Sequence, residues 1–211
     1  MAEGKKIILT IGRQTGSGGR EIARRISSEL NLPYYDRELL TRAAKESGLS
    51  ETLLEGHDEK PTNSFLYSLV MDSYPYGYAS AFNGMPIDHK VFLAQFDAIK
   101  KIAAEGSCVM VGRCADYALE EDPALLSVFI YGEMEDKVKR LQERYQVSEA
   151  KAQEMILKTD KKRSSYYNYY TNKKWGDSRS YCLCLNSSAF GIDGCVELIR
   201  RAIAIRTGEQ F

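Results

Sequence analysis

Five short apolar runs, each set beside a segment of helical period, constrain this chain more than any other feature. The runs fall at 6–11, 33–35, 108–111, 126–131 and 181–185. Ile22, Ile26 and Leu30 follow the first at i, i+4, i+8, and Val91, Phe92, Phe96, Ile99 and Ile102 repeat that period before the third. Val138, Leu141 and Tyr145 follow the fourth run, and Val196, Ile199 and Ile203 the fifth. Nearly continuous apolar strands alternating with amphipathic helices predict a three-layer α/β/α domain around a five-stranded parallel sheet. Right-handed crossovers then gather every strand C-terminus, and any ligand, along one edge.

The chain has 211 residues, 44% of them hydrophobic and 27% charged, which suits one ordered domain spanning 1–211. Two stretches break the strand–helix rhythm. Residues 50–88 contain helix-like pieces interrupted by Pro61, Pro75, Gly77, Gly84 and Pro86, with Tyr67, Tyr74, Tyr76 and Tyr78 among them, and read as a helical insertion. Residues 158–180 are basic and aromatic, with seven Lys or Arg against two Asp.

Lys plus Arg equal Asp plus Glu at 29 each, so no global field draws nucleic acid or an acidic membrane, and an anion must be held by local groups. The apolar runs are far shorter than the about 20 residues of a membrane span. No hydrophobic signal segment precedes the first run, so a cytoplasmic protein is expected. Cysteine usage agrees: Cys108, Cys114, Cys182, Cys184 and Cys195 contain no Cys-x-x-Cys, and the histidines are His57 and His89. A zinc site or disulfide framework is disfavoured, and Cys182 and Cys184 are expected on one strand face as small hydrophobes.

The segment Ile11-Gly-Arg-Gln-Thr-Gly-Ser-Gly-Gly-Arg-Glu-Ile stands where the first strand turns into a helix. Gly16, Gly18 and Gly19 allow positive φ there, so successive amides and the helix N-terminus can form an anion nest suited to a di- or triphosphate. The alternative is a plain strand–helix turn. The loop departs from Gly-x-x-x-x-Gly-Lys-[Ser/Thr]: Arg13 stands at the first glycine, Gly19 at the lysine and Arg20 at the Mg²⁺-binding hydroxyl. Arg13 or Arg20 can supply the missing charge through bidentate pairing, although a salt bridge accounts equally for Arg20. Ser17 or Thr15 offers a hydroxyl to Mg²⁺.

Four islands resemble the nucleoside monophosphate kinases, and within them the cytidylate-kinase-like group with a divergent P-loop. They are the glycine loop running on to Leu32-Pro-Tyr-Tyr-Asp-Arg-Glu-Leu, the stretch Val109-Met-Val-Gly-Arg-Cys-Ala-Asp, the run Asp160-Lys-Lys-Arg with its tyrosines, and Tyr181-Cys-Leu-Cys-Leu-Asn-Ser-Ser. The resemblance covers residues 6–205 and implies a P-loop kinase fold, ATP and Mg²⁺ as donor and cofactor, and a small nucleotide as acceptor. It implies acceptor contacts from Asp36, Arg42 and Arg113, with Asp116 aiding base or metal recognition. Helix capping is the competing role for Asp36. Arg42 is singled out because it has no obligatory local partner.

The resemblance also implies that 158–180 is a lid closing on donor phosphates, with Lys161 and Arg163, then Lys162, near the migrating group. The leading expectation is phosphoryl transfer to a nucleoside monophosphate, CMP or dCMP first. Three others stand beside it: a nucleotide-binding regulator without chemistry, a kinase of another small molecule, and nucleic-acid stacking by Tyr166, Tyr167, Tyr169, Tyr170 and Trp175. The last is disfavoured by zero net charge and by the helical face that Tyr166, Tyr167 and Tyr170 share.

Overall fold

A computed structural model describes residues 5–59 and 85–208. Most of the expected insertion therefore lies outside the described residues. Five parallel strands form one sheet in the order β2-β3-β1-β4-β5. In chain order they are β1 (Ile8–Arg13), β2 (Tyr34–Tyr35), β3 (Cys108–Val111), β4 (Leu125–Tyr131) and β5 (Leu183–Asn186). The helices are α1 (Gly19–Glu29), α2 (Glu38–Ser47), α3 (Glu51–His57), α4 (Ile87–Glu105), α5 (Ala115–Ala118), α6 (Met134–Tyr145), α7 (Glu149–Thr171) and α8 (Ser187–Thr207).

Alternation along β1 divides the core. Leu9 and Ile11 face α1 and α8, where Ile22, Ile26, Ile199 and Ile203 are buried, while Ile8 faces Ile99 and Ile102 of α4. The sheet is thus covered on both sides, as its continuous apolar strands require. β1 starts and ends two residues later than its apolar run, because pairing with β4 continues through Gly12↔Phe129 and Arg13↔Ile130. The backbone ladder, which polar residues share, carries Arg13 to the strand's end.

The run at 181–185 is also shifted. Tyr181 is buried among aromatics and Cys182 is exposed, so the strand begins at Leu183. Cys184 is half-buried, and the two cysteines do not form the expected apolar pair; all five cysteines are free.

The expected lid is helical in its first half. Residues 158–171 continue α7, a 23-residue helix started by Ser148, whose hydroxyl accepts from the Lys151 amide. Tyr166, Tyr167 and Tyr170 line its inner face and pack with Phe92, Phe129 and Tyr181. Phe92 and Tyr170 stack with centroids 4.0 Å apart. Those three tyrosines serve as core.

Candidate active site

The turn from β1 into α1 holds Gly16 and Gly18 at φ 80°, the left-handed region where glycine carries no Cβ penalty. Gly18 caps α1, whose first-turn amides have no intrahelical acceptor and face the loop. The loop is braced by its neighbours. Ser17 Oγ donates to the Gln14 carbonyl at 2.8 Å, Lys137 Nζ donates to Gln14 Oε1 at 3.0 Å, and Arg140 Nη1 donates to the Gly16 carbonyl at 3.1 Å. A Cβ at Gly16 would fall 2.7 Å from the Lys137 carbonyl oxygen. Ser17 is fully buried, and its hydroxyl proton is donated within the loop.

Gly19 explains the absent lysine. A Cβ there would lie 2.6 Å from Arg13 Cβ and 3.4 Å from Ile130 Cβ, so any side chain at 19 collides with Arg13. Arg13 fills that space and crosses Gly112, where an added Cβ would meet its Nη1 at 2.1 Å. Positive charge reaches the loop from β1.

At the end of β3, Gly112, Arg113 and Cys114 have φ of 77°, 54° and 56°. Two consecutive non-glycine residues in the left-handed region cost about 1–3 kcal/mol each. This turn buries Arg113, whose Nε and Nη2 donate to the two Asp58 carboxylate oxygens at 2.9 Å each. Its Nη1 donates to the Asp36 carbonyl at 2.5 Å and to Asp36 Oδ1 at 3.4 Å. Asp36 also lies 2.6 Å from Arg20 Nε. It does not cap α2, whose N-cap position is Arg37 and carries no side-chain cap. Asp36 instead joins two arginines at the sheet edge.

Arg163 connects the loop to this cluster. Its Nη1 donates to Thr15 Oγ1 at 3.1 Å, and its Nε donates to Glu59 Oε2 at 3.2 Å. Glu59 Oε1 accepts from Arg13 Nη1 at 3.4 Å. Asp160, one turn before Arg163, accepts from the Thr15 amide at 2.7 Å. Lys162 Nζ donates to the Asp58 carbonyl at 2.7 Å. Lys161 is exposed on α7 and shows no side-chain hydrogen bond or ion pair among the described residues, whereas Arg163 reaches Thr15 and Lys162 reaches Asp58.

Arg42 also departs from expectation. It pairs with Glu46 one turn along α2 and with Glu105 at the end of α4, beside the N-terminal edge of the sheet. The i,i+4 Glu46 is the local partner the sequence already offers.

Mutual proximity shifts the titrations. Burial and then Arg163 bring Arg13 down to about 10. Burial alone would raise Asp36 and Glu59, but the surrounding guanidiniums hold both below the usual carboxylate range. Arg113 is pushed the other way: burial would lower it, and Asp58 and Glu59 raise it. Asp116 is half-buried beneath the cluster, accepts from Tyr167 Oη at 2.6 Å, and is pushed up to about 6 by desolvation.

Two cavities adjoin these groups. One of about 420 Å³ is bordered by the glycine loop together with Arg20, Arg140, Arg144 and Arg163. The other, about 20 Å³, lies between Arg13, Glu59, Arg113, Asp116 and Arg163. Arg140 and Arg144 were not among the expected residues, although Lys137, Arg140 and Arg144 recur at helical spacing. Asp58 and Glu59 carry no such pattern. Backbone amides at a helix N-terminus and guanidiniums are the groups that pair with phosphate oxygens, and both converge here.

The cytidylate kinase from Methanococcus aeolicus is 25% identical over 201 residues, covering 94% of this chain and 98% of that protein. The crystal structure of an uncharacterized protein from Eubacterium ventriosum is 31% identical with a TM-score of 0.69, covering 94% of this chain and 98% of the other. Shikimate kinase from Bacteroides thetaiotaomicron shares the fold at 11% identity and a TM-score of 0.53, covering 94% and 99% of the two chains. The model of the cytidylate kinase-like family matches residues 8–189, and the chain belongs to that family.

Proposed function

We propose that this chain transfers the terminal phosphoryl group of ATP to a nucleoside monophosphate, with CMP or dCMP the first candidate. The carrying observation is Arg163, which touches the glycine loop through Thr15 and the arginine cluster through Glu59. A cation spanning two adjacent anion sites suits a reaction in which charge migrates from one to the other. In-line phosphoryl transfer needs positioning and charge neutralisation and no covalent intermediate.

The loop amides and the N-terminus of α1 hold the donor phosphates. Arg13 supplies the charge that a loop lysine supplies elsewhere, and Arg20, Arg140 and Arg144 border the donor cavity. Arg113 and Arg13 receive the acceptor phosphate, and Arg163 neutralises the migrating group. Asp36 holds Arg20 and Arg113 in place. Asp116, set among Tyr167 and Tyr181, is a polar group on the acceptor side.

Mg²⁺ fits these residues as a nucleotide-borne ion. No group of three or more His, Cys, Asp or Glu suited to a metal occurs among the described residues. Mg²⁺ typically takes one or two protein oxygens and completes its shell with phosphates and water. Thr15 Oγ1 and the Asp160 carboxylate are the oxygens beside the loop that would hold it. When bound it would supply positive charge that screens the phosphates.

The test is ADP release from ATP and Mg²⁺ across the nucleoside monophosphates, with shikimate and gluconate as hydroxyl acceptors. Turnover with CMP or dCMP above the other acceptors supports the reading. Turnover with a hydroxyl acceptor alone, or ATP binding without transfer to any acceptor, overturns it.

A further inference from the structure

The arginine cluster is filled by the chain's own carboxylates. Glu59 spans Arg13 and Arg163, while Asp58 takes the Nε–Nη2 edge of Arg113 with both oxygens. A carboxylate and a phosphate edge each present two oxygens to that fork. Four guanidiniums, from Arg13, Arg20, Arg113 and Arg163, meet three carboxylates, from Asp36, Asp58 and Glu59.

The three carboxylates are anchored differently. Asp36 directly follows β2, receives a hydrogen bond from Tyr34 Oη, and its amide donates to Glu38. It is part of the sheet edge. Asp58 and Glu59 instead arrive at the end of the seven-residue helix α3. Glu59 has φ 52°, a left-handed conformation that a residue with a Cβ adopts at a cost. The arginines hold Glu59 against its own backbone preference.

Space decides the rest. The cavity among Arg13, Glu59, Arg113 and Arg163 is about 20 Å³, on the scale of a single water and too small for a phosphate group. A phosphate dianion placed beside all three carboxylates would also leave the cluster net negative in a largely buried volume. It enters only if a carboxylate leaves.

We propose that Asp58 and Glu59 form an internal counter-anion that occupies the acceptor-phosphate subsite and is expelled when a phosphate-bearing ligand arrives. The inference rests on the proposed function for the name of that subsite and the identity of that ligand. Two consequences follow for the site. The arginines stay paired and positioned without substrate, and ligand affinity is set by competition with Glu59.

Inorganic phosphate is the probe. In the wild-type chain, amide hydrogen exchange across residues 57–59 is compared with and without saturating phosphate. Faster exchange there is expected, and unchanged or slower exchange overturns the proposal. A second measurement uses Glu59→Gln, which keeps the shape and removes the charge. Calorimetric affinity for phosphate should tighten by about tenfold or more, the scale of one charge-assisted hydrogen bond. Equal or weaker binding, or no phosphate binding to either protein, overturns it.

Failure of the two readings is separable. Phosphate that loosens 57–59 in an enzyme inactive on every monophosphate leaves the counter-anion standing and removes the proposed function. Transfer to CMP with 57–59 unmoved and no affinity gain in Glu59→Gln does the reverse.

Discussion

The two edges of the sheet use the same residue types to different ends. At the N-terminal edge, Lys6 pairs with Asp122, and Arg42 with Glu46 and Glu105, all partly exposed. At the C-terminal edge, Arg13, Arg20, Arg113 and Arg163 meet Asp36, Asp58 and Glu59, and Arg113 and Asp36 are each only 4% exposed at the side chain. Exposed pairs contribute about 0–1 kcal/mol each. Buried ones repay desolvation poorly, and apolar replacements of similar volume often match them. A chain that needed only stability had little reason to bury Arg13 and Arg113 and to gather Arg20 and Arg163 beside them. Their concentration where the strands end, next to a glycine loop, is explained by an anionic ligand.

The comparison breaks most visibly at Arg113. Arg113→Met takes from Asp36 and Asp58 the buried cation they share, leaving Arg20 to Asp36 and Gln95 to Asp58, and should lower unfolding stability by about 3–5 kcal/mol, read by urea denaturation. A loss under 1 kcal/mol would put this edge on a par with the other. Arg163→Met removes a cation from between the two anion sites. Its kcat should fall by about 10²–10³-fold, the scale of losing a preorganised charge-stabilising donor, with the ATP dissociation constant changing far less.

Asp116 sharpens the contrast, because it sits under the cluster with a tyrosine hydroxyl where its neighbours have guanidiniums. Its folded value of about 6 lies above the unfolded one, so the folded state binds the extra proton in between. Stability from this group is present at low pH and is lost as pH rises from about 4 to about 6. Asp116→Asn should abolish that fall and stabilise the protein by about 1–2 kcal/mol at pH 7.5, measured as unfolding free energy against pH. Asp36 and Glu59 act oppositely: held below their unfolded values, they contribute above about pH 4.5 and lose that contribution on acidification. The smallest effect belongs to Arg42→Ala, with under about 1 kcal/mol of stability lost and kcat/KM unchanged. A large kinetic loss there would return Arg42 to the acceptor role that resemblance suggested.

The architecture was legible because periodicity reports burial directly. β3 occupies the residues of its apolar run, and Ile22 and Ile26 face the sheet from α1 as their spacing requires. The glycine loop was legible because positive φ restricts residue choice. Strand ends were less so, since the ladder through Gly12 and Arg13 is made by backbone groups that side-chain pattern does not record. Arg113 could be read from its place after β3, but its left-handed turn could not.

Asp58 and Glu59 were invisible because their partners lie far along the chain. Arg113 is 55 residues from Asp58, and Arg163 is 104 from Glu59. Only folding makes them neighbours. Lys161 and Arg163 look interchangeable in a basic run, yet helical geometry sends one to solvent and the other to Thr15 and Glu59. Arg42 shows the converse: its ion-pair partner Glu46 stands at i+4, in plain view in the sequence.

One phosphate chain should run from the amides of the β1–α1 turn to the guanidiniums beyond β3. A crystal structure with an adenosine–cytidine pentaphosphate tests it most directly. Phosphates against the first amides of α1 at one end, and against Arg13, Arg113 and Arg163 at the other with Glu59 displaced, are the predicted result. A pentaphosphate bound elsewhere, with Arg113 still gripped by Asp58 and Arg163 by Glu59, would contradict it.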